Sequence, residues 1–104
     1  MKISILLPYK ENFSPTYAGA VSLFIKDTTK ISKFKKFITV YGNTNLKNTF
    51  NLRYKNIELK KNVMQSGSKI YVNEFLKFEK KSPSDLIEIH NRPNYFHLIY
   101  EKRL

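Results

Sequence analysis

Ser82-Pro83-Ser84-Asp85-Leu86-Ile87-Glu88-Ile89-His90-Asn91-Arg92-Pro93-Asn94-Tyr95 combines a turn, a short apolar strand, a polar elbow and a helix start in one run. Leu86, Ile87 and Ile89 are aliphatic or β-branched. Ser82-Pro83-Ser84 before them and Pro93 after them confine the strand to about five or six residues, Asp85 to His90. In an open α/β sheet, the space just past the carboxyl end of a strand is where ligands bind. The elbow at His90, Asn91 and Arg92 is therefore the place to look for chemistry, provided that the rest of the chain builds such a sheet.

Working outward, Met1 to Leu7 is almost continuously apolar, as a parallel strand covered on both faces would be, and belongs at the centre of a sheet. Pro8 to Ser14 is a loop. Ser14-Pro15 is a helix-start signal, and Tyr17, Ala20, Val21, Phe24, Thr28 and Ile31 recur at spacings of three and four, which predicts an inward stripe. Lys26, Asp27 and Lys30 fall mostly on the opposite side, and Lys33, Lys35 and Lys36 suit the negative end of the helix dipole. Phe37-Ile38-Thr39-Val40-Tyr41 is a β-branched and aromatic strand stopped by Gly42-Asn43. Strand, helix and strand make one crossover between parallel strands.

The asparagine-rich segment from Asn43 to Asn56 is open between a long loop and a weak strand through Phe50, Leu52 and Tyr54. Ile57-Glu58-Leu59-Lys60 alternates like a short edge strand. From Gly67-Ser68, the residues Tyr71, Val72, Phe75, Leu76 and Glu79 sit at helical spacing, with Lys77, Lys80 and Lys81 in the final turn. The Asp85 to His90 strand then closes a second crossover, and a helix through Tyr95, Leu98 and Ile99 follows Pro93. The expected architecture is a single Rossmann-like α/β domain over residues 1–104, three-layered, with a mostly parallel sheet of about four strands. The last helix has no glycine or proline stop, so the chain reads as cut within a larger domain.

With 104 residues the chain suits one small domain. It has no cysteine, which removes disulfides, thiolate catalysis and cysteine-ligated zinc and agrees with a reducing compartment. No apolar stretch approaches the roughly 18 residues of a membrane span, and no signal peptide is legible, so the cytoplasm is the expected location. The formal charge is +11, but lysine dominates, with arginine only at positions 53, 92 and 103. Lys, Asn, Ile, Phe and Tyr together are what AT-rich coding produces, and base readout prefers arginine forks. The composition thus disfavours a nucleic-acid partner and leaves peripheral contact with an anionic membrane open.

No Ser-His-Asp order, HExxH pair, metal-ligand cluster or phosphate-loop motif is present. Neither a metal nor a cofactor is implied. His90 at a strand end can turn one ring nitrogen to a ligand while the backbone holds the other, or it can simply satisfy a buried carbonyl. His97 on the last helix suits a packing role. Arg92 can fork onto a phosphate or carboxylate, or pair with Glu88 or Asp85. Ala18-Gly19-Ala20 lets a ligand or a neighbouring strand approach a helix start closely.

Lys2-Ile3-Ser4-Ile5-Leu6-Leu7-Pro8, Tyr17-Ala18-Gly19-Ala20-Val21, Phe37-Ile38-Thr39-Val40 and above all Asp85-Leu86-Ile87-Glu88-Ile89-His90-Asn91-Arg92-Pro93 together resemble the amino-terminal domain of group 1 glycosyltransferases. These are retaining enzymes of the GT-B architecture, built from two Rossmann-like domains. The last block is the most specific, since Asp85, Ile87 and His90 match the family's D-x-I-x-x-H strand. The resemblance implies transfer of a sugar from a nucleotide-sugar donor to a saccharide or lipid-linked acceptor. It gives His90 a catalytic place at the cleft mouth, Ala18 and Gly19 the loop near donor phosphate or acceptor, and Asn91 with Arg92 the acceptor side. The sequence departs from the family pattern in having Ala18 for a second glycine, Val21 where an acidic residue is common, and Phe34-Lys35 for a glycine-histidine pair.

The family's donor-binding domain has no counterpart in these residues, so the chain is expected to be inactive alone and to self-associate through the free sheet edge beside the last strand. The alternative is a small Rossmann-like module that binds a nucleotide or a protein partner.

Overall fold

The computed structural model describes residues 1–59, 67–90 and 92–103. Four parallel strands, β1 (Ile3–Leu6), β2 (Ile38–Gly42), β3 (Tyr54–Asn56) and β4 (Leu86–Ile89), form one sheet in the order β3-β2-β1-β4. Helix α1 (Ala20–Ile31) links β1 to β2, α2 (Gly67–Lys81) precedes β4, and α3 (Pro93–Arg103) follows it. The fold is the expected Rossmann-like α/β architecture. Its chain runs outward from β1 to β2 and β3 on one side and reappears as β4 on the other, so the topological switch point lies between β1 and β4.

Two cores flank the sheet. Ile5 and Leu7 meet Ile25 of α1 together with Ile38, Val40 and Phe13, while Leu6 and Tyr41 meet Tyr71, Val72 and Phe75 of α2 and Tyr95 and Ile99 of α3. Alternate residues of β1 thus serve opposite layers, as the pleat requires, and both sets are buried. Burying side chains of this size contributes about 1.5–3 kcal/mol each.

Polar groups are buried as well, and one network of them fixes a turn. The Ser4 hydroxyl on β1 donates to Ser84 Oγ at 2.6 Å, and the Ser84 amide and hydroxyl both donate to the carboxylate of Glu79 in the last turn of α2. That network fixes the turn between α2 and β4, so Glu79 joins the inward face of α2 for hydrogen bonding rather than for packing.

Several local expectations are corrected. Helix α1 begins at Ala20 and not at Pro15: Ser14 Oγ instead accepts the Thr16 amide, and Tyr17 has φ 55°. The inward face of α1 is Ser22, Ile25 and Thr29, while Phe24 and Ile31 of the expected stripe are exposed. A buried face made partly of small hydroxyl residues carries little apolar signal, and the louder aromatic positions mark a face that overhangs solvent. The edge strand is Tyr54–Asn56, within the segment left open, and residues 57–59 lie beyond it, although Ile57 is buried and its amide still donates to the Gly42 carbonyl at 2.7 Å. Strand β2 starts at Ile38 because Lys35–Phe37 form a single 3-10 turn.

Two tyrosines tie the helices to the carboxyl edge. Tyr71 Oη donates to the Leu7 carbonyl at 2.7 Å and lies 3.4 Å from the Tyr41 carbonyl, and Tyr95 Oη accepts the Tyr9 amide at 3.1 Å. Burial, with Tyr54 and Tyr95 close by, pushes the Tyr71 phenol well above its ordinary value near 10. The unfolded phenol ionises near pH 10 and the folded one does not, so the contribution is intact below pH 10. Above it, stability falls by about 1.4 kcal/mol per pH unit. Tyr71→Phe is expected to cost about 1–2 kcal/mol at pH 7. In urea titrations repeated between pH 9 and 11, roughly the tyrosine range, the variant should lose stability less steeply than the parent; equal slopes would refute the assignment.

Candidate functional site

The carboxyl edge beside the switch point is built from the β1-α1 loop, the first turns of α1 and the end of β4. The loop is held firmly. Phe13 is fully buried between Phe50, edge-on at 5.0 Å, and Tyr54, stacked at 5.4 Å. Asn12 Oδ1 accepts the Thr44 hydroxyl at 2.7 Å. Lys10 and Tyr17 both have left-handed backbones, at φ 68° and 55°, a conformation that costs non-glycine residues energy and concentrates at functional loops. Tyr17 is 83% exposed, directly before Ala18 and Gly19.

Gly19 is the N-cap of α1 and has no side chain to cap it. The cap comes from Glu11, whose Oε2 accepts the Ser22 amide at 3.0 Å. A Cβ at Gly19 would collide with that carboxylate. The glycine therefore serves close approach, but the group that approaches is the chain's own carboxylate, which satisfies an orphan donor and the positive end of the helix dipole. Ser22 Oγ, fully buried in the same turn, has no hydrogen-bond partner among the described residues.

His90 directly follows β4. Its Nε2 lies 2.6 Å from Glu88 Oε2, and its ring meets Phe24 of α1 at 5.9 Å and 63°. Glu88 and His90 are two residues apart on extended chain and so share a face, the face that looks toward α1. With Nε2–H donated to Glu88, Nδ1 is the ring nitrogen left to face a ligand. Phe24 is 56% exposed beside it. The result is a wall with one oriented acceptor, one carboxylate and one open aromatic face, which suits a polyhydroxylated ligand with an apolar side.

The structure brings His90 to α1, but it does not bring Arg92 to the same face. Arg92 lines a groove of about 420 Å³ with Ile87, Ile89, Pro93 and Phe96, on the α3 side of β4. Asn91 lies outside the described residues. His97 is exposed on α3, against the ring of Phe96. Sequence reasoning missed Glu11, Phe24 and Glu88 as site residues. The two-residue spacing of Glu88 and His90 was a usable signal; Glu11 is brought to α1 only by the folded loop. Among the described residues, no group of His, Cys, Asp and Glu could hold a metal ion, and no helix is long and apolar enough to cross a membrane.

Comparisons with protein-family models, curated proteins and solved structures found no match. The glycosyltransferase likeness rests on the residues quoted above.

If Gly19 is there to admit Glu11, Glu11→Ala and Gly19→Ala remove the same hydrogen bond. Each single substitution is expected to cost about 1 kcal/mol, and the double variant about as much as one of them. Additive losses in thermal or urea unfolding would show that Gly19 serves something other than the carboxylate.

Proposed function

We propose that the chain is the amino-terminal part of a retaining glycosyltransferase of GT-B type, contributing acceptor recognition and one wall of a cleft to the transfer of a sugar from a nucleotide-sugar donor to a saccharide or lipid-linked acceptor. The observation that carries the reading is His90, fixed by Glu88 and set against Phe24 at the carboxyl edge beside β1. The histidine of the motif resemblance and the loop at Ala18 and Gly19 both lie at the carboxyl end of the sheet, the end at which an open α/β sheet binds its ligands. In this role His90 Nδ1 accepts a hydrogen bond from a sugar hydroxyl, Phe24 covers a C–H face of the ring, and the loop at Tyr17 to Gly19 borders the donor. Arg92 contributes from the other side of β4.

The second reading, a small binding module, is favoured in its protein-partner form by one specific feature. Glu11 already occupies the amino end of α1, so a phosphate can reach that end only by displacing it. Self-association through β4 belongs to both readings, because β4 is an edge strand and Leu86 on it is 56% exposed. Sedimentation over a concentration series reads it out, and a monomer at every concentration would exclude it.

The functional test is an NMR titration of the chain with UDP-glucose, GDP-mannose and a series of oligosaccharides. The expected result is movement of the His90 ring and Phe24 resonances with at least one saccharide, lost in His90→Ala, and no turnover of either nucleotide sugar. Silence of these resonances with every sugar, or shifts that survive His90→Ala, would overturn the proposal; a response to the nucleotide alone would favour the binding module.

A further inference from the structure

At the amino edge of the sheet, the end opposite His90, the last residues of α1 and the turn into β2 read Lys30-Ile31-Ser32-Lys33-Phe34-Lys35-Lys36-Phe37. Lys33, Lys35, Lys36 and Arg53 line a cavity of about 500 Å³ together with Ile38, Val40 and Leu52. An adjoining cavity of about 260 Å³ shares Lys35 and Leu52 and adds Lys26 and Lys30. No carboxylate lines either one. Among the described residues, the nearby acid Asp27 pairs with Lys26 at 2.7 Å, and no ion pair neutralises Lys30, Lys33, Lys35 or Lys36. Ile31 is 85% exposed and Phe34 42%, both inside the lysine cluster. The Lys33 and Lys36 ammonium groups lie over the rings of Phe34 and Phe37, at 5.5 and 5.2 Å.

We propose that this turn docks the protein on an anionic phospholipid surface. Ile31 and Phe34 enter the headgroup boundary, and Lys30, Lys33, Lys35 and Lys36 hold lipid phosphates around them. Lysine stems can cover apolar surface while their charged ends reach phosphate, and clustered lysines beside protruding apolar residues combine the two attractions that a single signal cannot supply. A nucleic acid would use the charge but not the aliphatic side chain of Ile31. The arginine at this site is also partly committed: Arg53 Nη1 donates to the Lys36 carbonyl at 3.1 Å. Because all four strands are parallel, seating the amino edge on a bilayer turns the carboxyl edge, with His90, toward water. Docking at the amino edge does not depend on what His90 binds.

Flotation with vesicles of phosphatidylcholine containing phosphatidylglycerol, against phosphatidylcholine alone, tests it. Binding is expected only to the anionic vesicles, to weaken with salt, and to fall about fivefold for each lysine in Lys33→Gln and Lys36→Gln. Ile31→Ser and Phe34→Ser should each weaken it at unchanged charge. The chain has no tryptophan, so Phe34→Trp gives a single reporter whose emission should shift to the blue on anionic vesicles and be quenched by brominated lipid. All these positions are exposed, and thermal unfolding confirms that the variants fold. Absence of vesicle binding, binding indifferent to these substitutions, an unshifted indole, or a short oligonucleotide that binds more tightly than vesicles and ignores Ile31→Ser would each overturn the proposal.

Discussion

Burial of β1 on both faces is the constraint on which the rest of the structure depends. Ser4, Ile5, Leu6 and Leu7 are all nearly inaccessible to solvent. A strand in that position must find a hydrogen-bonding neighbour on each side and a helical layer above and below. β2 and β4 supply the first requirement, in registers that pair Ile5 with Val40 and with Glu88. Helix α1 on one face and helices α2 and α3 on the other supply the second. Because β2 is reached through α1 and β4 through α2, meeting both requirements also creates the switch point. The crevice is a consequence of topology before any side chain in it is considered.

Charge is divided between the two ends of that sheet. At the carboxyl edge, Glu11 engages the amino end of α1, which would otherwise carry positive potential, and Glu88 engages Nε2 of His90. What remains there is an oriented acceptor beside an open aromatic face, better matched to hydroxyl-rich molecules than to a bare anion. At the amino edge, Lys30, Lys33, Lys35 and Lys36 meet no such carboxylates among the described residues, and the positive potential is left to external partners. The net charge of +11 therefore says little about the crevice at His90 and much about the opposite end of the molecule.

What the sequence made legible follows from how strongly each segment signals its burial. β1 and β2 are runs of aliphatic and β-branched residues, and α2 carries Tyr71, Val72 and Phe75 on one face, so their type and order were readable from periodicity. Tyr54–Asn56 is only three residues long and alternates weakly, and its pairing with β2 depends on tertiary register that no local pattern encodes. The inward face of α1 is not legible from apolar spacing because Ser22 and Thr29 are buried while Phe24 is not. In the site, His90 was legible from its place at a strand end. The Glu11 cap was not, because it spans eleven residues to Ser22 through a loop that turns at the left-handed Tyr17. Arg92 was expected beside His90, but β4 ends at Ile89, and Arg92, past the strand and so outside its alternation, lines the groove with Ile87 and Ile89.

The switch point exists only because β1 lies between β2 and β4. Interstrand amide-to-α-proton contacts measured by NMR in solution test this directly. The predicted result is a parallel pattern that links Ser4 to Leu6 both with Thr39 to Tyr41 and with Ile87 to Ile89. Contacts that place Leu86–Ile89 against any other strand, or that run antiparallel, would remove the switch point and contradict the account.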